Sequence, residues 1–147
     1  MKRLRAQDGM TLIEVLVALV ILAVGLLGAA AIQLKALKYT DSSLMTSQAS
    51  FIAYDMMDRI RANSGADYSI TPPTAGNLAL ARDQDLHDFT RNITAFGGPT
   101  ATGSISLNQR VYTITISWDD SRAAGTPDER RSFVLSSRAT TDPVGAP

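Results

Sequence analysis

Cysteine is absent from this sequence, which excludes disulfides, thiolate metal sites and a cysteine nucleophile. Histidine occurs once, at His87, so no pair of imidazoles is available for a metal. An excess of one charge is missing too. The 14 Lys+Arg balance the 14 Asp+Glu, and the pI is near 6.6. Without a basic stripe the chain is not expected to bind nucleic acid, whose phosphates demand clustered Lys and Arg. No phosphate-cradling glycine loop or dinucleotide fingerprint occurs, and no proline precedes Pro72. At 147 residues there is room for one compact domain but little for a multidomain enzyme.

What is present is concentrated at the N-terminus. Residues 1–9 are short and polar, with Lys2, Arg3 and Arg5 against Asp8, a charge that favours cytoplasmic retention. From Val15 to Ile32 there are 18 residues without a polar side chain, roughly 27 Å as a helix and close to the thickness of a bilayer core. Three readings compete. A secretory signal peptide would be cut near Ala29-Ala30-Ala31. A plain single-pass anchor would be oriented by the leader's positive charge. The third reading turns on Glu14, a carboxylate at the start of an otherwise apolar helix, where a deep charge costs up to about 3 kcal/mol. Cleavage after Gly9 would free the amine of Met10 one helical turn from Glu14, able to offset its charge.

The string Gly9-Met10-Thr11-Leu12-Ile13-Glu14-Val15-Leu16 behind a short basic leader resembles the class III signal of type IV prepilins. The resemblance implies peptidase cleavage after Gly9, N-methylation of the new first residue Met10, and a filament-docking role for Glu14. Within that group, the stretch Glu14 to Gly28 is similar to minor pilins of the PilV type (type IV pilus modification protein), as is the looser pattern of Asp88-Phe89, Ala95-Phe96-Gly97-Gly98-Pro99 and a Trp118-ending strand.

Beyond the apolar run, Met45, Ala49, Ile52, Met56 and Ile60 recur at spacings of four, three, four and four, one face of a helix. Leu34, Leu37, Leu44 and Phe51 are expected to widen that face, and Asn63-Ser64-Gly65 to end the helix. One helix is thus expected from Met10 to about Ala62, roughly 80 Å long. Tyr68 to Asn77, with Pro72, Pro73 and Gly76, reads as a surface loop. A second helix is expected from about Asp83 to Thr94, followed by strands at Ser104 to Leu107, Val111 to Trp118 and Ser132 to Arg138. In the middle strand Tyr112, Ile114, Ile116 and Trp118 share a face, which Phe133 and Leu135 extend. The fold expected is α+β and type IV pilin-like, a long N-terminal helix packed on a small antiparallel sheet. Its divisions are a leader at 1–9, a transmembrane or filament-core half at 10–34, and a periplasmic domain at 35–147, with its helix half at 35–62 and its sheet at about 104–138.

No constellation for catalysis stands out. His87 beside Asp85 and Asp88 reads as an exposed helix histidine, since adjacent helical residues do not face each other. Asp83, Asp85 and Asp88 lack the glycine and distal glutamate of a calcium loop and read as helix-capping, solvated acids. Asp119-Asp120 reads as a turn, with a cation site as the alternative. The run Asp128-Glu129-Arg130-Arg131 reads as a solvated mixed-charge face, and Trp118 as core. The resemblance then implies a non-catalytic minor pilin without cofactor or metal, held in the inner membrane with a periplasmic domain before entering a pilus. Its implied partners are the prepilin peptidase, other minor pilins, the major pilin and membrane lipid, with no nucleic acid. A minor pseudopilin of a type II secretion system shares the same signal. From other classes, a pilus-tip adhesin and a signal-anchored periplasmic enzyme remain alternatives.

Overall fold

The computed structural model of the chain describes residues 10–126 and 129–139. Helix α1 runs Leu12–Ala62, α2 Ala81–Gly97, β1 Thr102–Asn108, β2 Val111–Asp119, the single turn α3 Ser121–Ala124, and β3 Arg130–Arg138. Contacts divide the chain into two units, one ending at Leu37 and one beginning at Lys38. In the first, α1 is apolar around its whole circumference and every described side chain is exposed. A helix hydrophobic on all sides needs lipid or protein around it. The length and composition of α1 qualify it as a candidate membrane span near the N-terminus.

The second unit is a three-stranded antiparallel meander of order β1-β2-β3, with helices covering its inner face. Alternation in β2 produces this: Tyr112, Ile114, Ile116 and Trp118 are buried while their neighbours are half-exposed. Across the strands Ile114 lies opposite Leu135 and Ile105, and Ile116 opposite Phe133 and Gly103, so all point to the same core. From α1 the core receives Ala49, Ala53, Met56, Met57 and Ile60, and from α2 Leu86, Phe89 and Ile93. The long helix packed on a small sheet is the α+β, pilin-like arrangement read from the sequence. Phe96 meets Trp118 edge-on, with ring centroids 5.5 Å apart.

The face of α1 that enters the core differs from the expected one. Leu44 and Phe51 are exposed, Phe51 to 72%, whereas Ala53 and Met57 are fully buried; Leu34 and Leu37 are exposed as well. Two residues subtend about 200° on a helix, so Phe51 points away from the surface that Ala53 occupies. Small Ala49 and Ala53 share the buried face with Met56, Met57 and Ile60, while Leu44 and Phe51 stay outside.

Gly103 permits the close approach of α2 to β1. A Cβ there would collide with the Ile93 Cδ1 and the Phe89 ring. The β1–β2 turn is tight and left-handed at both central residues, Gln109 (φ 47°) and Arg110 (φ 67°), a conformation that favours Asn-Gly rather than this pair.

Candidate functional site

The N-terminal segment begins with Met10, which is exposed, while Gly9 lies outside the described residues. Thr11 starts α1: its Oγ1 accepts the Glu14 N–H at 3.3 Å, and its carbonyl accepts the N–H groups of Glu14 and Val15 at 3.1 and 3.3 Å. Thr11-Leu12-Ile13-Glu14 therefore has the spacing of a capping box, in which hydroxyl and carboxylate serve the free N–H groups of the first turn. The carboxylate also sits at the positive end of the helix dipole. Read from sequence, Glu14 is a membrane charge, an amine partner and, by resemblance, a docking residue; that reading passes over the Thr-x-x-Glu capping signal.

In the second unit, acidic residues that looked solvated in the sequence are engaged. Asp85 Oδ1 accepts Arg59 Nη1 at 2.8 Å, and Asp85 Oδ2 accepts the Tyr68 hydroxyl at 2.8 Å, which in turn accepts Asn63 Nδ2 at 3.1 Å. Arg59 also binds Asp55 at 2.9 Å. The hydrogen bond to Asp85, ahead of the one to Asp55, holds the Arg59 guanidinium charged more firmly than usual, against the opposing effect of burial. Burial, reinforced by Asp85, raises the Tyr68 hydroxyl pKa, although the Asn63 hydrogen bond opposes it. Asp83 pairs with Arg82 at 2.8 Å. Asp88 accepts Gln84 Nε2, which lowers its carboxyl pKa, and Arg91 lies 3.2 Å away. All three acids are half-buried, and Asp85 differs in that its partners, Arg59 and Tyr68, lie outside α2.

His87 likewise departs from the exposed position expected. Its side chain is 30% exposed, its Nδ1 is buried without a hydrogen-bond partner among the described residues, and Asp88 Oδ1 is 3.7 Å distant. That separation is too long for a hydrogen bond, and among the described residues no nucleophile is hydrogen-bonded to the ring, so they do not meet the triad logic.

At the end of β2 the two aspartates diverge. Asp119 Oδ1 accepts the Ser121 N–H at 2.9 Å and has a lowered carboxyl pKa from that bond, the behaviour of a turn former. Asp120, only 7% exposed, accepts the Ser42 hydroxyl at 2.8 Å and Arg131 Nε at 3.1 Å through one oxygen, Oδ2. The Arg131 guanidinium occupies the place a cation would take. Arg131 thus binds a buried acid, and Arg130 donates to the carbonyls of Thr100 and Ser117. Glu129, Arg130 and Arg131 are exposed, as a solvated mixed-charge face requires, and the two arginines make these contacts from the surface; Asp128 lies outside the described residues. Trp118 is fully buried, as expected for core.

Residues 4–30 match the prokaryotic N-terminal methylation motif. That match supports a type IV prepilin-like protein. The motif is the signal shared by type IV pilins and pseudopilins; it implies processing by prepilin peptidase and assembly with other pilins, and it suggests a structural role. With the apolar N-terminal helix it fits a membrane-anchored pilin. No curated protein and no solved structure gives a significant match.

Proposed function

We propose that this chain is a minor pilin of the PilV type, cut after Gly9, N-methylated on Met10, and assembled through α1 into the initiating or tip complex of a type IV pilus. The observation that carries the reading is the methylation motif over residues 4–30 leading into a helix whose apolar side chains have no cover of their own. Before assembly lipid covers residues 10–34; residues 35–147 stand in the periplasm. In the filament, burial against other pilin helices at about 25 cal/mol per Å² replaces lipid contact. Glu14 receives the amine of a neighbouring subunit or its own Met10, which sets the register that uniform apolar contact cannot. A type II secretion pseudopilin would use the same signal, and genomic neighbours separate the two systems.

The test is the N-terminus and the fate of Glu14 variants. The mature chain is expected to have 138 residues and a methylated Met10; an N-terminus at or after Ala31 overturns the reading. Glu14→Val is expected to insert and be cleaved but to fall more than about tenfold in the ratio of sheared pili to membrane, because an amine left unpaired in a low-dielectric core is strongly destabilising. Glu14→Gln separates the two roles of this residue, since Gln serves a capping box without charge. Incorporation of Glu14→Gln at the wild-type level would assign Glu14 to capping and remove it from docking.

A further inference from the structure

The face of α1 that the core leaves outside has a regular composition. Thr40, Leu44, Ser47, Phe51 and Tyr54 are all exposed and follow one another at spacings of four, three, four and three. On a helix of 3.6 residues per turn such positions form one seam, on the side opposite Ala49, Ala53 and Met56. The solvent side of an amphipathic helix is normally polar or charged, yet Leu44, Phe51 and Tyr54 are each more than half exposed. Between Tyr39 and Met57 the only charged residues are Asp41 and Asp55. Both have partners within the chain, Asp41 with Arg122 at 3.7 Å and Asp55 with Arg59 at 2.9 Å. Asp58, next in the spacing, pairs with Arg61 at 3.0 Å and closes the seam. In the sequence the same spacing extends back through Leu37 to Gln33, the only polar side chain between Glu14 and Lys35. Apolar and aromatic residues at four-three spacing are what one helix offers to another.

We propose that this seam joins two copies of the chain in the membrane as a parallel pair, before any filament forms. The inference rests on the membrane-anchored reading above, because chains inserted in one direction bring their α1 helices side by side and parallel. In a parallel pair the seam meets its own counterpart in register, Leu44 on Leu44, Ser47 on Ser47 and Phe51 on Phe51. The flanks suit a second copy. Gln48 and Asp55 on one side of the seam face Ser43 and Ser50 of the other helix, so no carboxylate is set against another. Gln33 meets Gln33 at the same register, where two amides hydrogen-bond across apolar helices. The contact is isologous and closes at two copies. Each sheet packs on the opposite face of its own α1, through Ala49, Ala53 and Met56, and does not intervene.

Because the chain has no cysteine, introduced thiols report the pairing without interference. Full-length Ser47→Cys, in membranes of cells without assembled pili, is expected to give a disulfide-linked dimer on oxidation, since like positions of the seam face each other within bridging distance. Gln48→Cys, exposed but on the flank, gives at least about fivefold less. Differently tagged Thr40→Cys and Ser47→Cys chains give no mixed dimer, being offset by roughly 10 Å along the helices. Adding Phe51→Lys to Ser47→Cys is expected to abolish the dimer, whereas adding Val134→Lys, at an exposed apolar residue of β3, leaves it unchanged. Absence of the Ser47→Cys dimer, its survival with Phe51→Lys, an equal yield from Gln48→Cys, a mixed product from the offset pair, or a product joined to a different protein overturns the proposal. The N-terminus of the same sample tests the pilin reading separately. Chain cut before Met10 but not linked removes only the dimer, and linked chain not cut there removes only the pilin reading.

Discussion

Asp85 shows how one residue changes meaning once its neighbours are known. In the chain it follows Asp83 by two positions and precedes Asp88 by three, and the local pattern says capping. Its partners Arg59 and Tyr68 lie 26 and 17 positions away, and no local periodicity reports such distances. The three together pin the chain after α1 to the start of α2. Tyr68→Phe removes a hydrogen bond to a charged acceptor and is expected to cost about 1.5–3 kcal/mol at neutral pH, read by denaturant unfolding. Because the folded-state hydroxyl pKa is raised, its stabilisation is complete below the unfolded value near 10 and is lost as pH rises through the higher folded value. The gap between wild type and Tyr68→Phe should therefore narrow above about pH 10; a constant gap would contradict the role given to burial. The lowered carboxyl pKa values of Asp67, Asp88 and Asp119 work in the other direction, adding stability that disappears as acid protonates them.

Elements were legible wherever period and burial agree. β2 announced itself, because alternating Tyr112, Ile114, Ile116 and Trp118 can serve only a sheet with one buried face. The stop of α1 after Ala62 was written in Asn63-Ser64-Gly65. The choice between faces of α1 was less legible, because apolar residues occur on both and only the small side chains of Ala49 and Ala53 identify the one that meets the sheet. The β1–β2 hairpin left no turn signal at all, since Gln109 and Arg110 are poor residues for two successive left-handed conformations. That mismatch predicts a gain. Gln109→Asn should raise the unfolding free energy by about 0.5–1 kcal/mol, as expected when a residue suited to positive φ replaces one that is not. A decrease would mean that the glutamine side chain has a role the turn geometry does not reveal.

For the whole molecule, the division at Leu37 and Lys38 separates an uncovered apolar helix from a unit that contains the whole buried core. A fragment beginning at Lys38 is expected to fold in a single cooperative transition, and Ile116→Ala within it to lose about 2–5 kcal/mol, the usual range for a large-to-small change at a fully buried site. A loss within error would mean that the inner face of the sheet has been misassigned. At this scale the motif over residues 4–30 was more legible than the fold's interior. Gly9, Met10 and Glu14 form a linear signal that needs no tertiary contact to be read. The Ser42–Asp120–Arg131 set unites α1, the end of β2 and β3, and is invisible in any window of sequence.

Ser42 is also the first buried residue that α1 offers when followed from its N-terminus, and its hydroxyl meets a carboxylate that a guanidinium already grips. In mechanical terms this is a tether point. Tension carried along α1 to Ser42, its first buried side chain, passes through Asp120 into the junction of β2 and β3. There the load is shared by the antiparallel strand pairs and by the Arg131 side chain.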